Sequence, residues 1–245
     1  MRYTDNFTES HLLLSEPVTF NVYDEDNIIP VAQFTMRLPN IHDLYFDEDI
    51  RLLVGLLNMD LAEVQNKFTN LPNITSYFAF YDSIAVQSNI HLLYYLRILV
   101  NALNKLGLDY TLAEGSYKQM ICAGFPVTEV FFERIRQIIL ISCGIKKPTD
   151  FYTDPRLKAM QDKINKIKGQ KTKQSDAMHK SDFSDCLIIL IYEFGLTVPY
   201  IETMTQYAVN FILGYTSKSV RYKASLIAVG NGNTKKVKFI TDKGK

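Results

Sequence analysis

The chain has 245 residues, of which 47% are hydrophobic and 22% are charged, and its formal net charge is +1. These values are typical of a folded globular protein and exclude wholesale disorder and fibrous repeats. The longest apolar runs, such as 92–100 and 186–191, are far shorter than the roughly 20 residues of a membrane-spanning helix, so we expect no membrane contact. The N-terminus lacks the features of a secretory signal, which predicts synthesis in a cytoplasm.

The charges are distributed unevenly along the chain. Residues 1–50 hold ten acidic residues against Arg2 and Arg37, whereas residues 218–245 hold eight Lys and Arg residues against Asp242. This asymmetry often marks a partner-binding surface or head-to-tail self-association, but solvated faces of opposite sign are the simpler and favoured explanation.

The N-terminal third begins with alternating apolar and polar residues and then changes to a helical period. Residues 18–22 and 29–38 alternate around the turn-forming cluster 24–27, which predicts a β-hairpin. Residues 47–58 (DEDIRLLVGLLN) predict an amphipathic helix opened by three acids, and residues 61–68 predict a second, short helix. The apolar stripe of the first helix comprises Ile50, Leu53, Val54 and Leu57.

The middle of the chain predicts helices and one further hairpin. Helices are expected at 76–86, at 88–105 before Gly107, at 129–143 between Thr128 and Gly144, and at 156–168 after Asp154-Pro155. The nearly all-round apolar character of 88–105 indicates the centre of a domain. Residues 109–113 and 117–122 flank Glu114-Gly115-Ser116 and predict a hairpin.

Residues 169–180 have no apolar periodicity and predict a basic polar linker. Beyond the linker, helices at 182–194, 198–204 and 205–227 predict a small three-helix unit, followed by a flexible basic tail at 231–245. The fold class is therefore mainly α with a minor β component (α+β). The predicted organisation is a helical N-terminal lobe with short hairpins (1–168), the linker and a C-terminal helical unit (181–230).

Motifs for enzyme chemistry are missing from the sequence. The four histidines are scattered, no phosphate-binding or nucleophile motif occurs, and the acidic clusters lack the spacing of a calcium loop. Cys122, Cys143 and Cys186 lie in apolar stretches and are expected to be buried and reduced. The sequence thus predicts a protein without catalytic residues, cofactor or metal.

Nucleic-acid binding is the alternative from another functional class. Residues 146–180 hold ten Lys and Arg residues against four Asp residues, and residues 182–215 have a helix-turn-helix-like order. The candidate second helix offers almost no side chains that bind bases or phosphates, which makes this regulator the weaker hypothesis.

Two phrases resemble the tail assembly chaperones of phages of Gram-positive bacteria. The first is FFERIRQIILISCGIKKPTDFYTDPRLKAMQDKINKIK, and the second is GLTVPYIETMTQYAVNFIL. Within the second, Gly195, Leu196, Thr197, Met204 and Thr205 match a family pattern of glycine, capping threonine, short helix, Met-Thr and helix. The family often has proline where this chain has Gln206. Any compact three-helix unit can also carry such a phrase, because its glycine and threonines act as helix caps.

The resemblance implies a non-enzymatic bacteriophage morphogenesis protein that works in the cytoplasm of the infected host. Such chaperones bind the tape-measure protein and help to recruit tail-tube or baseplate subunits, and a homo-oligomer is compatible with this role. The client helix would lie in an apolar groove, for which aromatic residues, 12% of this chain, are well suited. The groove candidates are Phe131, Phe132, Ile135, Tyr200, Met204, Tyr207 and Phe211. The alternative within virology is a permanent virion component, such as a baseplate, connector or tail-completion protein.

Overall fold

A computed structural model describes residues 2–24, 28–59, 78, 79, 81, 90–112, 120–145 and 183–216, with the backbone alone at 90–93 and 183–186. Within these ranges the protein has eight helices and two small three-stranded antiparallel sheets, which confirms the predicted α+β class. In chain order the elements are β1 (Arg2–Asp5), α1 (Glu9–Leu14), β2 (Val18–Tyr23), β3 (Ala32–Met36), α2 (Ile41–Phe46), α3 (Glu48–Asn58), α4 (Ile90–Lys105), β4 (Tyr110–Leu112), β5 (Met120–Cys122), β6 (Phe125–Pro126), α5 (Glu129–Ser142), α6 (Phe183–Phe194), α7 (Val198–Thr203) and α8 (206–216).

The first sheet has the order β1-β2-β3 and contains the predicted N-terminal hairpin. Val18 lies opposite Met36 and Val22 opposite Ala32 in the antiparallel register of β2 and β3. Val18, Phe20 and Val22 are all buried, while the residues between them are half-exposed. This alternation buries one face of the sheet against the core, as expected for an antiparallel sheet with one solvated side.

Helices α3 and α4 pack against each other beneath this sheet. The carboxylate of Asp47 accepts a hydrogen bond from the backbone N–H of Ile50 at 3.1 Å and so caps α3. All four residues of the predicted stripe, Ile50, Leu53, Val54 and Leu57, are buried. Gly107 follows α4 with a φ of +89°, and a Cβ at this position would lie 3.1 Å from the carbonyl oxygen of Thr35. Glycine is therefore required here by both backbone conformation and space.

The second sheet has the order β4-β5-β6 and leads into α5. Thr128 accepts a hydrogen bond from the N–H of Phe131 at 3.3 Å, which confirms the predicted N-cap of α5. Gly144 follows the helix with a φ of +67°, and a Cβ there would lie 2.5 Å from the side-chain nitrogen of Asn210 in α8. The C-terminal end of α5 and α8 are thus in close contact.

The buried hydrophobic residues form two clusters. The larger one joins both sheets with α1, α3, α4 and α5. The smaller one lies between α2 and the three C-terminal helices and contains Ile41, Leu190, Ile201, Met204, Ala208 and Val209. The C-terminal helices therefore complete their core with a residue of α2. The domain boundary that we predict at 169–180 lies outside the described residues and stays a prediction.

Several short elements were not anticipated from the sequence. β1, α1, α2 and β6 are too short to produce a clear periodic pattern. The side chain of Asn40 caps α2 by accepting from the N–H of Asp43 at 2.9 Å. The predicted helices 61–68 and 156–168 and the tail 231–245 lie outside the described residues, as do most of 76–86 and the part of 205–227 after 216.

Candidate functional site

The C-terminal unit, residues 183–216, is organised by a glycine, a proline and a threonine. Gly195 has a φ of +66° and ends α6, as predicted. Thr205 accepts a hydrogen bond from the N–H of Ala208 at 3.1 Å, which confirms it as the cap of α8. Thr197 is the N-cap residue of α7, as predicted, but its side chain makes no capping hydrogen bond. Pro199, which has no N–H, removes one of the two donors that a cap could use.

Thr205 also attaches the unit to α1. Its hydroxyl is fully buried and donates to the carbonyl oxygen of Leu12 at 2.6 Å. Its backbone N–H donates to the hydroxyl of Ser15 at 3.0 Å. A third bond joins the N–H of Ile41, at the start of α2, to the carbonyl oxygen of Met204 at 2.9 Å. The loop between α7 and α8 is therefore held by directional bonds at the surface of the larger core.

Tyr207, one of the predicted groove residues, forms a further contact between α8 and α1. Its hydroxyl donates to the carboxylate of Glu9. Burial, together with this hydrogen bond and the nearby negative charge, raises the pKa of Tyr207 to about 12. The hydroxyl therefore stays protonated at neutral pH and remains the hydrogen-bond donor to Glu9. This side chain is half-buried and acts within the protein, so a contact with a partner can use only its remaining exposed surface.

Four of the seven predicted groove residues are inside the protein. Phe131, Phe132, Ile135 and Met204 are between 1% and 6% exposed. Phe131 stacks on Tyr3 with ring centroids 4.2 Å apart and packs edge-on against Phe20. These four residues belong to the two cores, so their side chains are not exposed to a partner. Tyr200 and Phe211, which are 56% and 52% exposed, remain on it.

The accessible apolar residues concentrate in the C-terminal unit. Of the sixteen exposed large hydrophobic side chains in the described residues, seven lie between positions 188 and 215. We call them the C-terminal apolar surface: Ile188, Tyr192, Phe194, Val198, Tyr200, Phe211 and Tyr215. Exposed apolar side chains in such number on one small unit are typical of a protein-binding site.

Helical spacing places the members of this surface in pairs. Ile188 and Tyr192 are four residues apart on α6, and Phe211 and Tyr215 are four residues apart on α8, so each pair shares one helix face. The opposite faces carry Leu190 on α6 and Val209 on α8, which are buried in the smaller core. Sequence reasoning missed five of the seven members: Ile188, Tyr192, Phe194, Val198 and Tyr215. Their spacing was visible in the sequence, but it did not reveal which side of each helix faces the core.

The charge of this unit is negative. Residues 183–216 contain the acids Asp185, Glu193 and Glu202 and no Lys or Arg. Glu202 lies 3.8 Å from the imidazole of His42 on α2. Phosphate contacts normally need Lys or Arg side chains. The helix-turn-helix-like order of this unit therefore lacks the charge that DNA binding requires.

A cleft of about 400 Å³ lies between β1 and α5. Two of its three charged side chains pair with each other: the guanidinium of Arg134 donates to both carboxylate oxygens of Asp5, at 2.7 and 2.9 Å. The hydrogen bond to Asp5 and the negative charge of Asp5 raise the pKa of Arg134 against the opposing effect of burial. Since each charge is neutralised by the other, the pair joins the N-terminal strand to α5.

The described residues contain neither a group of metal ligands nor an activated thiol. No three His, Cys, Asp or Glu side chains in the described ranges are grouped as metal ligands would be. Burial raises the pKa of both Cys122 and Cys143 to about 12, so both thiols are protonated at neutral pH and are poor nucleophiles. None of the helices in this part of the chain is long and apolar enough to span a bilayer.

The comparisons with known proteins give no relative. No family model, curated protein or solved structure matches this chain. Among the described residues, the C-terminal apolar surface is the feature that most clearly indicates a function.

Proposed function

We propose that this protein is a non-enzymatic bacteriophage morphogenesis protein, most specifically a tail assembly chaperone. It binds amphipathic helices of the tape-measure protein on the C-terminal apolar surface and keeps them soluble until tail-tube subunits assemble around them. The observation that carries the proposal is the concentration of exposed aromatic side chains on α6, α7 and α8. The resemblance of residues 195–213 to the family phrase falls on two of these helices, α7 and α8.

The physical reason for this role is the surplus of apolar surface. Tyr192 is 84% exposed and Tyr200 is 56% exposed, although Tyr side chains bury a large area when they contact a partner. Aromatic side chains in a partly apolar groove are the usual anchors for an amphipathic helix. A transient chaperone needs such a surface in its free state, because its client is bound and later released.

Coexpression with the tape-measure protein of the same phage tests this proposal. We expect the tape-measure protein to become soluble and to copurify with the wild-type chain. The double variant Tyr192→Ser/Phe211→Ser should lose at least about tenfold in affinity, because each side chain is an exposed anchor. The matched control is Tyr94→Ser on α4, a tyrosine that is 56% exposed and lies outside the surface.

Purified virions separate this proposal from the permanent-component alternative. A chaperone should be absent from finished particles, or present far below one copy per ring. A stoichiometric amount in the mass spectrum of virions would contradict the chaperone proposal. Unchanged insolubility of the tape-measure protein during coexpression would contradict it as well.

A further inference from the structure

The charges around the C-terminal apolar surface indicate which kind of helix it takes. We infer that its client is a basic amphipathic helix, one whose apolar face is bordered by Lys and Arg. This inference rests on the proposed function and adds the chemical class of the client. Apolar contacts supply much of the affinity of a helix in a groove, whereas the surrounding charges select among helices of similar hydrophobicity.

The helices that carry the surface also carry acidic side chains. Glu193 is exposed and follows Tyr192 on α6, about 100° further around the helix. Glu202 lies on the side of α7 away from Tyr200 and contacts His42. On the side of α8, the contacts of Thr205 and Tyr207 bring α1 next to this helix. The α1 segment contributes Glu9 and Glu16, both of which are exposed.

The described segments that carry and border the surface have no Lys or Arg, neither in residues 183–216 nor between Glu9 and Glu16. His42, the partner of Glu202, lies on α2 beside α7 and has a 58% exposed side chain. A client with acidic borders would meet like charges on both sides, which costs binding free energy, whereas a basic client would find opposite charges.

The spacing of the exposed residues is compatible with a helical client. Ile188 and Tyr192 are separated by about 6 Å along α6, and Phe211 and Tyr215 by the same distance along α8, since each residue of a helix adds about 1.5 Å. Anchors at positions i, i+3, i+4 and i+7 of a client helix repeat at similar intervals. A helix of a few turns can thus contact both members of such a pair simultaneously.

Two designed peptides test the inference with the full-length protein. The first is an amphipathic helix of about 18 residues built from Leu and Lys, and the second has Glu at every Lys position. We expect fluorescence anisotropy at about 50 mM salt to give the Leu/Lys peptide at least about tenfold higher affinity. The preference should shrink to about twofold at about 0.5 M salt, because the ions screen exposed charges.

A pair of double variants assigns the preference to this surface. Glu16→Gln/Glu193→Gln removes two exposed acids beside the apolar residues and should reduce the preference for the Leu/Lys peptide several-fold. Glu48→Gln/Glu129→Gln makes the same change in net charge at exposed positions of α3 and α5 and should leave the preference unchanged. An equal loss in both double variants would show a general charge effect and would overturn the inference.

The remaining outcomes distinguish the inference from the proposed function. Equal affinity for the two peptides, abolished by Tyr192→Ser/Phe211→Ser, would retain helix binding but reject the basic client. Binding of neither peptide would reject the proposed function itself. Self-association of the free protein that is lost in Tyr192→Ser/Phe211→Ser, detected by sedimentation, would identify a second copy as the occupant and would also reject the inference.

Discussion

Helices α5 and α6 show how differently two regions of this protein use apolar sequence. Both helices are rich in Ile, Leu and Phe. The last 12 residues of α5 are FFERIRQIILIS, and the sequence of α6 is FSDCLIILIYEF. Helix α5 buries eight of its 14 residues in the larger core. Among the described side chains of α6, Leu190 is fully buried while Ile188 and Tyr192 are 53% and 84% exposed. The lesson is that apolar composition alone does not distinguish a core helix from a binding helix.

The two regions also differ in how they are held together. The larger core is closed by two sheets and three long helices, and its aromatic residues pack against each other. The C-terminal unit has a small core and is attached to α1 and α2 by a few directional hydrogen bonds. We therefore expect the larger core to determine global stability and the C-terminal unit to respond locally.

The largest expected effect comes from removing an aromatic ring from the larger core. Phe131→Ala should lower the free energy of unfolding by about 3–5 kcal/mol, because the cavity left between Tyr3 and Phe20 cannot close completely. Tyr192→Ser in the C-terminal unit should change it by less than about 0.5 kcal/mol, because its ring is mostly in water. Urea unfolding followed by circular dichroism measures both. Similar losses in the two variants would remove the distinction between the regions.

The next effect concerns the attachment of the C-terminal unit. Thr205→Val should cost about 2 kcal/mol, since it removes the cap of α8 and leaves the buried carbonyl of Leu12 without its donor. The loss should appear as faster amide hydrogen exchange in 206–216, while the exchange rates in α3 and α4 should change much less. Thr205→Ser keeps the hydroxyl and serves as the control. Uniformly faster exchange across the whole protein would indicate that the unit is not an independent region.

Much of the fold was predictable because its signals are local. Thr128 and Thr205 cap helices as their positions predicted, and Gly107, Gly144 and Gly195 adopt the left-handed conformation expected after a helix. A cap depends on the three or four residues that follow it, so it can be recognised in one sequence. The hairpin of β2 and β3 could be predicted equally well, because its alternating residues and its turn lie within about 20 residues of each other.

The candidate site was less predictable because exposure depends on tertiary contacts. The sequence predicts Phe131, Phe132 and Ile135 as groove residues, but all three are buried in the larger core. Phe131 packs against Phe20 and Phe34 of the first sheet. Phe132 packs against Phe78 and Tyr81. β1 itself has only four residues and no clear pattern, so its packing against α5 left no trace in the sequence. The exposed face of α6 was missed for the same reason, since only the position of the smaller core identifies the opposite side.

The smallest expected effect tests the ion pairs that distinguish the larger region. Lys105, at the end of α4, donates to Asp47 and Asp49 at the start of α3, each at 2.9 Å. In the described residues the C-terminal unit has one comparable contact, between His42 and Glu202 at 3.8 Å. Asp47→Asn should cost only about 0.5 kcal/mol at neutral pH, because the pair is partly exposed and Asn still caps α3. Asp47→Ala, which also loses the cap, should cost about 1–2 kcal/mol.

The pH dependence separates the charge of Asp47 from its capping role. Burial by itself would raise the pKa of Asp47, but the hydrogen bonds from Lys105 and from the N–H of Ile50 outweigh it and lower the pKa. A lowered pKa in the folded state stabilises the protein above the ordinary pKa of about 4, and this stabilisation is lost as the pH falls through the folded value. Wild type and Asp47→Asn should therefore converge in acid, while Asp47→Ala remains less stable. A constant difference between wild type and Asp47→Asn from pH 7 to about pH 3 would show that the charge of Asp47 contributes nothing.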